Sequence, residues 1–396
     1  MLAISTDKSR IRMVDTETWE SHYLVLPYSR RLQFECSSAM SPDGRFVYSA
    51  GTSRDMWHRV STVSGLVCGG VTVHDGTGGC TCRDVGDGFS DVPQETHEAC
   101  RISGNWGCAI QNDYVLAMAL SPDGKFLATT RGDYVSTRAD IIIWNTETSA
   151  IEHIIHDTGF TSCLAISSDG SRIAAGKGRL TMSCIPQVIV WDIKTGESTY
   201  RLPCRCIDKI GSVSFSPINP AILSMSFEFT TLQIDLNDRN STPIEFNGSI
   251  FKYAPSEDVV ATSGYGHNPY TAITICSAST GELVHVKHRA HIVKITDLCW
   301  SPDGSKIASS SHMPHHESGG NCKVWDSSTF HLIHSIDTLY AFGNFVSLSW
   351  GPNWKRAVDR RLACAMALHD RIGNGSLLKH LHPDLLRIMA WDAEHE

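Results

Sequence analysis

Several features that define large protein classes are missing from this chain of 396 residues. No stretch approaches the roughly 18 consecutive apolar residues that a membrane-spanning helix needs. The opening residues, MLAISTDKSR, lack the charged and apolar regions of a secretory signal. Lys and Arg number 34 against 42 Asp and Glu, so the net charge is −8. We therefore expect no membrane association, no nucleic-acid partner and a location in the cytoplasm or the nucleus.

The common signatures of catalysis are also missing. The sequence contains neither a Gly-x-Ser-x-Gly elbow nor a His-Glu-x-x-His zinc motif. The glycine-rich run GTGG around Gly76 is not followed by the Lys-Ser or Lys-Thr pair of a phosphate-binding loop. The 14 cysteines show no framework spacing, and we expect reduced thiols. We predict no enzyme activity and no cofactor.

What the sequence does contain is an internal repeat. A tight-turn motif, Ser-x-Asp-Gly, precedes a short apolar strand in four places, and weaker copies begin at Ser216 and Pro255. Pro and Asp favour the first positions of such a turn, and Gly tolerates a positive φ. The pattern therefore predicts a series of hairpin corners. The four clear copies begin at Ser41, Ser121, Ser167 and Ser301.

A second signature follows each corner after about 23 residues, and it is a β-branched strand that ends in Trp-Asp or a degenerate equivalent. Trp144, Trp191 with Asp192, and Trp325 with Asp326 are its clearest copies. The Asp-equivalent positions are 15, 61, 145, 192, 235, 277 and 326. All their intervals lie between 42 and 49 residues except one of 84. That long interval contains either an insertion or a degenerate repeat, and its Gly-rich and Asp-rich composition favours an insertion.

These paired motifs resemble the Trp-Asp (WD) repeat family, whose repeat is a four-stranded propeller blade. The resemblance implies an all-β, seven-bladed WD-repeat β-propeller over residues 1–352, with a loop insertion at about 74–112. An undivided long interval would make seven blades, and a hidden degenerate blade would make eight. The strand at 345–350 should pair with residues near 1–6 and close the ring, which removes free sheet edges.

The family resemblance also implies roles for individual residues. In the family, a strand Trp, a Ser or Thr, an Asp and a His form a buried hydrogen-bond network. His291, Trp325 and either Ser309 or Ser311 match three of those roles. The Asp is missing from the stretch HMPHHESGGN, so we expect an incomplete network. The structural-motif residues are Trp144, Trp191, Asp192, His291, Trp325 and Asp326.

One face of the predicted disc carries most of the extra length. Loops before the Trp strand are long in several repeats, and the insertion falls on a connection that reaches the same face. Because binding residues collect on loops of rigid scaffolds, we predict that this long-loop face binds partner proteins. Its aromatic residues could instead pack beneath their own loops. The candidate contact residues are Trp57, Arg131, Tyr134, Arg179, Tyr265, His267, Tyr270, His312, His315 and His316.

Two groups of side chains could bind zinc. His312, His315, His316 and Cys322 lie within one short stretch. The insertion adds a second group, which comprises Cys80, Cys82, Cys100 and Cys108. Neither group has the paired Cys-x-x-Cys spacing typical of zinc sites, so we favour an exposed interaction loop in the first case, unpaired thiols in the second, and no metal.

Residues 353–396 follow a different pattern, which predicts a helical tail. Trp354, Val358, Leu362 and Met366 recur every four residues, as in an amphipathic helix. Further on, LHPDLLRIM resembles the opening helix of an F-box, which implies docking to a ubiquitin-ligase scaffold. The alternative is that this helix packs against the propeller rim. The docking residues would be Leu381, Pro383, Leu385 and Leu386.

We therefore predict a non-catalytic scaffold or adaptor for other proteins. The first alternative is a ubiquitin-ligase substrate receptor that docks through the tail, and a less favoured one is a hydrolase of the propeller type. Fold alone does not decide among them.

Overall fold

The computed structural model describes 29 β-strands, and no α-helix occurs in the part of the chain that it covers. Within strands β6, β7 and β8 it describes the backbone path alone. The described residues are 1–6, 10–25, 38–49, 55–61, 67–76, 79–84, 115, 117–131, 140–156, 158–159, 161–177, 186–203, 210–227, 229–238, 240–256, 258–265, 268–311, 321–337 and 345–352.

Six antiparallel sheets have the four-stranded form of a propeller blade. In each, the four strands are lettered a to d from the propeller axis outwards. Blade 1 contains β29 (Phe345–Trp350), β1 (Leu2–Thr6), β2 (Arg10–Val14) and β3 (Ser21–Val25). Blade 2 contains β9 (Met118–Leu120), β10 (Phe126–Arg131), β11 (Asp140–Asn145) and β12 (Ile151–Ile155). Blade 3 contains β13 (Thr161–Ile166), β14 (Arg172–Lys177), β15 (Gln187–Asp192) and β16 (Ser198–Pro203).

The remaining three blades follow in chain order. Blade 4 contains β17 (Ile210–Phe215), β18 (Ile222–Phe227), β19 (Thr230–Asp235) and β20 (Ile244–Asn247). Blade 5 contains β21 (Phe251–Tyr253), β22 (Val259–Tyr265), β23 (Asn268–Ser277) and β24 (Leu283–Lys287). Blade 6 contains β25 (Ile295–Trp300), β26 (Lys306–Ser311), β27 (Asn321–Asp326) and β28 (Leu332–Asp337).

A further sheet lies between blades 1 and 2 and has five strands. Its last two strands form a hairpin in which Val73 lies opposite Cys82 and Gly76 opposite Gly79. The sequence predicted loop from about residue 74 onwards, and that is wrong as far as residue 84. The strands are β4 (Ser38–Met40), β5 (Phe46–Ser49), β6 (Asp55–Ser61), β7 (Val67–Gly76) and β8 (Gly79–Asp84).

The predicted fold class therefore needs correction. We expected seven four-stranded blades and a helical tail, whereas the structure has six such blades and one sheet of a different form. The error arose because the long interval lacks a second Trp-Asp signature, although main-chain pairing can add strands without one. The predicted tail, residues 353–396, lies outside the described residues.

Closure of the ring through the first and last strands is confirmed. Strand β29 pairs antiparallel with β1, and Leu2 lies opposite Trp350. The amino group of Met1 donates to the carbonyl oxygen of Gly351 at 2.9 Å. The Ser349 hydroxyl also accepts from the Met40 amide at 2.7 Å, which ties blade 1 to the five-stranded sheet.

The four Ser-x-Asp-Gly motifs form nearly identical corners. In each, the Ser hydroxyl donates to the Asp carboxylate at 2.5 or 2.6 Å. The Gly amide donates to the Ser carbonyl oxygen at 2.9 Å, and the Gly φ lies between 70° and 74°. Only Gly adopts that torsion without a steric penalty. The motif therefore reverses the chain between strands a and b on one face of the disc.

The hydrophobic core is divided among the gaps between neighbouring sheets. One cluster joins blades 2 and 3 through Ile143, Ile173 and Trp191, and another joins blades 5 and 6 through Ile273, Ile307 and Trp325. Each blade thus needs its neighbours to bury its faces, as in other repeat folds. The result is a rigid ring whose loops project from two opposite faces.

Candidate protein-interaction face

Two kinds of connection emerge on the same face of the ring. The His291 ring, in the connection between blades 5 and 6, lies 2.7 Å from the side chain of Asn321, which ends the loop before the Trp strand of blade 6. In blade 4, the Thr231 hydroxyl likewise donates to the carbonyl oxygen of Gly248. The b–c loops and the connections between blades therefore share one surface, which we call the long-loop face.

The corners and the c–d turns lie together on the opposite face. The Thr146 hydroxyl donates to the Gly124 carbonyl oxygen at 2.6 Å, and the Ser327 amide donates to the Ser305 carbonyl oxygen at 3.0 Å. Both bonds join a c–d turn to the a–b corner of its own blade. The two faces are thus distinguished by hydrogen bonds as well as by chain direction.

Strand pairing brackets several of the long loops. Arg131 lies opposite Asp140, Lys177 opposite Gln187, and Ser311 opposite Asn321. Each pair occurs where strands b and c meet the long-loop face. The strand ends that precede and follow residues 132–139, 178–185 and 312–320 therefore occupy equivalent positions in the ring.

The candidate contact residues are placed to different extents. The structure places four of them on strands by backbone alone: Trp57 in β6, Arg131 at the end of β10, Tyr265 at the end of β22 and Tyr270 in β23. The other six lie outside the described residues, and their role stays a prediction. These are Tyr134, Arg179, His267, His312, His315 and His316.

The Trp-Asp pairs have architectural positions. Trp144 donates from Nε1 to the Thr129 hydroxyl at 2.8 Å, and Trp191 is buried opposite Ile173. Asp192 accepts from the Thr195 amide at 2.9 Å, which closes the turn after its strand.

Asp326 closes the corresponding turn in blade 6. Its Oδ1 accepts from the hydroxyl and amide of Ser328 and from those of Thr329, at 2.7–3.1 Å. The Ser328 and Thr329 hydrogen bonds lower the pKa of Asp326 to about 2. The carboxylate therefore stays charged and keeps its role as an acceptor at any physiological pH.

A complete hydrogen-bond chain surrounds His291. Trp325 donates from Nε1 to the Ser309 hydroxyl at 2.8 Å, and that hydroxyl lies 2.7 Å from His291 Nε2. If Ser309 donates to Nε2, the His291 ring carries its proton on Nδ1 and donates it to Asn321 Oδ1. One neutral tautomer then satisfies every member.

Asn321 takes the role in this network for which the sequence offered no Asp. Its Oδ1 also accepts from the Ser311 hydroxyl at 2.9 Å. Sequence reasoning missed this residue because it looked for an Asp, although Asn321 is the last residue of the stretch HMPHHESGGN. An amide oxygen accepts a hydrogen bond as a carboxylate does. An Asn in this stretch was therefore the signal by which the sequence could have revealed the missing acceptor.

Burial and the hydrogen bond to the neutral Asn321 side chain both affect the pKa of His291. The residue is 1% exposed, and desolvation lowers its pKa to about 4, with the nearby Lys323 charge acting in the same direction. An Asp at position 321 would have opposed that shift. His291 is therefore a neutral structural residue near pH 7.

The connection between blades 5 and 6, residues 288–294, was also missed by sequence reasoning. Ala290 and His291 are buried within it, and Ile295 is buried directly after it. Ile292 between them is 83% exposed, the highest value among the large hydrophobic residues that the structure describes. We call this segment the 288–294 loop.

An ionic contact joins the inner strands around the axis. Lys252 Nζ on β21 lies 3.4 Å from Asp297 Oδ1 on β25, and Asp297 Oδ2 accepts from the Leu348 amide on β29 at 2.8 Å. The Asp297 charge raises the pKa of Lys252, which therefore stays protonated. One carboxylate thus links three successive inner strands.

No group of His, Cys, Asp or Glu suited to a metal ion occurs within the described ranges. Cys80 and Cys82 lie on β8 with their backbone alone described, and the other predicted zinc ligands except Cys322 lie outside those ranges. Cys322 is buried, which raises the pKa of its thiol. No helix found in the described segments has the length and apolar character to cross a membrane.

Comparison with known proteins agrees with the fold. Residues 281–326 match the family model described as WD domain, G-beta repeat. That segment runs from the c–d turn of blade 5 to the Trp325–Asp326 pair of blade 6. The chain is therefore a β-propeller that contains a WD repeat at residues 281–326. Members of this class are typically protein-interaction scaffolds and are typically not catalytic.

Two solved structures illustrate how widely the fold is used. A chain in "Crystal Structure of Mitotic Checkpoint Complex" is 16% identical at a TM-score of 0.50, with 76% of this chain and 78% of that chain covered. A chain of hydrazine synthase from Kuenenia stuttgartiensis is 14% identical at a TM-score of 0.53, with 83% and 90% covered. No curated protein sequence matches the chain. At these identities the likeness shows the fold alone.

Proposed function

We propose that the protein is a non-catalytic scaffold or adaptor that holds partner proteins on its long-loop face. The observation that supports this most is the equivalent placement in the ring of the strand ends that flank residues 132–139, 178–185 and 312–320. A rigid base lowers the entropy cost of presenting several loops to one partner. A chain of similar fold in a solved mitotic checkpoint complex is consistent with this function.

The described part of the long-loop face offers no reason to prefer catalysis. His291, its buried histidine, is fully engaged with Ser309 and Asn321. The ionic pair of Lys252 and Asp297 is likewise engaged across the inner strands. A catalytic acid or base must reach a substrate proton, whereas His291 is 1% exposed. The proposal therefore assigns these residues to architecture.

The test is affinity capture by the full-length protein followed by mass spectrometry. A triple variant of the long-loop face, Tyr134→Ala with His315→Ser and His316→Ser, should lose specific partners that the parent retains. Lys125→Glu is the matched control, because Lys125 is exposed on the opposite face. Equal partner sets for the parent and the face variant, or partner loss in the control alone, would rule out the long-loop face as the interface.

The ubiquitin-ligase alternative stays a prediction, since residues 381–386 lie outside the described chain. Leu385→Asp with Leu386→Asp in the same capture experiment should remove ligase components if the tail is a docking helix. A location in the cytoplasm or the nucleus also stays part of the proposal.

A further inference from the structure

The 288–294 loop is held firmly at its base. Lys323 donates from Nζ to the carbonyl oxygen of Ala290 at 2.8 Å, and the amide of His291 donates to the carbonyl oxygen of Thr271 at 3.2 Å. The His291 ring adds the two contacts to Ser309 and Asn321. Contacts to β23, β26 and β27 therefore hold the loop in one conformation.

The same anchors hold two side chains outwards. Arg289 has a φ of 51°, in the left-handed region that a non-glycine residue rarely adopts. Such a torsion persists only where the surroundings enforce it. Ile292 is 83% exposed between buried His291 and buried Ile295. A large apolar side chain on a rigid base can be buried by a partner at little entropy cost.

The loop also differs in charge from the rest of the protein. From residue 283 to residue 296 the sequence contains three Lys or Arg residues and no acidic one, although the whole chain has a net charge of −8. The positively charged residues are Lys287, Arg289 and Lys294. The first acid after the loop, Asp297, is engaged by Lys252 and the Leu348 amide.

We propose that the 288–294 loop is a docking point for an acidic segment of a partner protein, which buries Ile292 and places a carboxylate on Arg289. This inference rests on the proposed function and names the chemistry of one partner site. Opposite charge would steer the encounter, and the apolar contact would hold the complex. An anionic membrane is less suitable, because one apolar side chain gives weak insertion and the chain is acidic overall.

The experiment selects ligands from a library of short random peptides with the full-length protein as bait. We expect the selected peptides to carry an apolar residue flanked by Asp or Glu. Ile292→Asp and Arg289→Glu should each raise the Kd of such peptides roughly tenfold or more. Added salt should also raise the Kd, because the contact with Arg289 is ionic.

Matched controls exist on the opposite face. Ile218, in the a–b connection of blade 4, is 63% exposed, so Ile218→Asp makes the same chemical change away from the loop. Lys125→Glu matches the charge reversal. Both controls should leave the Kd within about twofold of the parent value. If Ile292→Asp lowers the melting temperature, Ile292→Ser replaces it.

The negative results of these experiments distinguish the docking-point proposal from the proposed function of the long-loop face. Peptides without acidic enrichment, or peptides that bind the Ile292 and Arg289 variants as tightly as the parent, overturn the docking point. If such peptides nevertheless fail to bind the triple variant at Tyr134, His315 and His316, the long-loop face still binds partners, although not through the 288–294 loop. Binding of phosphatidylserine vesicles that disappears with Ile292→Asp, without selected peptides, would overturn the proposal in favour of a membrane contact.

Discussion

The neutral state of buried His291 leads to a prediction about acid stability. Its pKa is about 4 in the folded protein and about 6.5 in the unfolded chain. Between those values the unfolded chain binds a proton that the folded protein does not. The stability that His291 contributes is therefore complete above pH 6.5 and is lost as the pH falls towards 4. A difference of about 2.5 pKa units corresponds to about 3 kcal/mol.

The variant Asn321→Asp isolates this effect from other titrating groups. A carboxylate in place of Asn321 Oδ1, 2.7 Å from His291 Nδ1, would favour the imidazolium and raise the pKa of His291. The variant should then lose less stability than the parent between pH 6.5 and pH 4, by up to about 3 kcal/mol.

The measurement is urea unfolding of parent and variant at a series of pH values, with the difference between the two curves plotted. Because both proteins contain the same other acids and histidines, that difference reports the pair at positions 291 and 321. Parallel curves across the whole window would refute the assignment of a neutral, buried His291. A direct check is NMR titration of the ring, in which a normal pKa would have the same consequence.

Three further predictions concern the ring and the stretch that contains His315 and His316. Trp191→Ala should lower the free energy of unfolding by about 3 to 5 kcal/mol, and a variant that unfolds like the parent would show that Trp191 is not a core residue. Asp297→Asn should cost about 2 kcal/mol and speed hydrogen exchange at the Leu348 amide, whereas unchanged exchange would contradict the link between inner strands. Native mass spectrometry should detect no stoichiometric zinc, and zinc that is lost on replacing His315 and His316 would overturn that expectation.

Local chemistry made part of this structure predictable. Pro, Asp and Gly favour one turn geometry, so the corners at Ser41, Ser121, Ser167 and Ser301 could be found from sequence. Alternating β-branched strands at a regular interval then indicated blades. The strand at 345–350 was expected to pair with residues near 1–6 and to close the ring. The paired motifs at this spacing resemble those of the WD-repeat family, and that resemblance implied a propeller.

Predictions about strand number and contact residues depended on weaker signals. The five-stranded sheet was missed because β7 and β8 pair through main-chain hydrogen bonds that several side-chain patterns allow. Most of the aromatic and histidine residues chosen for the long-loop face lie outside the described residues, and their role stays a prediction.

The sequence by itself determined the period, the corners and the all-β propeller architecture, because each depends on residues close together in the chain, but it did not determine the form of every sheet. Only the tertiary structure showed that Asn321 completes the His291 network and that Asp297 joins three inner strands. It alone also showed that Ile292 is exposed beside a buried His291. These features depend on which blades become neighbours, and neighbouring positions there are separated by 30 to 51 residues of chain. Side-chain spacing within one repeat could suggest the network of His291, Ser309 and Trp325, but it contains no information about contacts between blades such as that of Asp297 with the Leu348 amide.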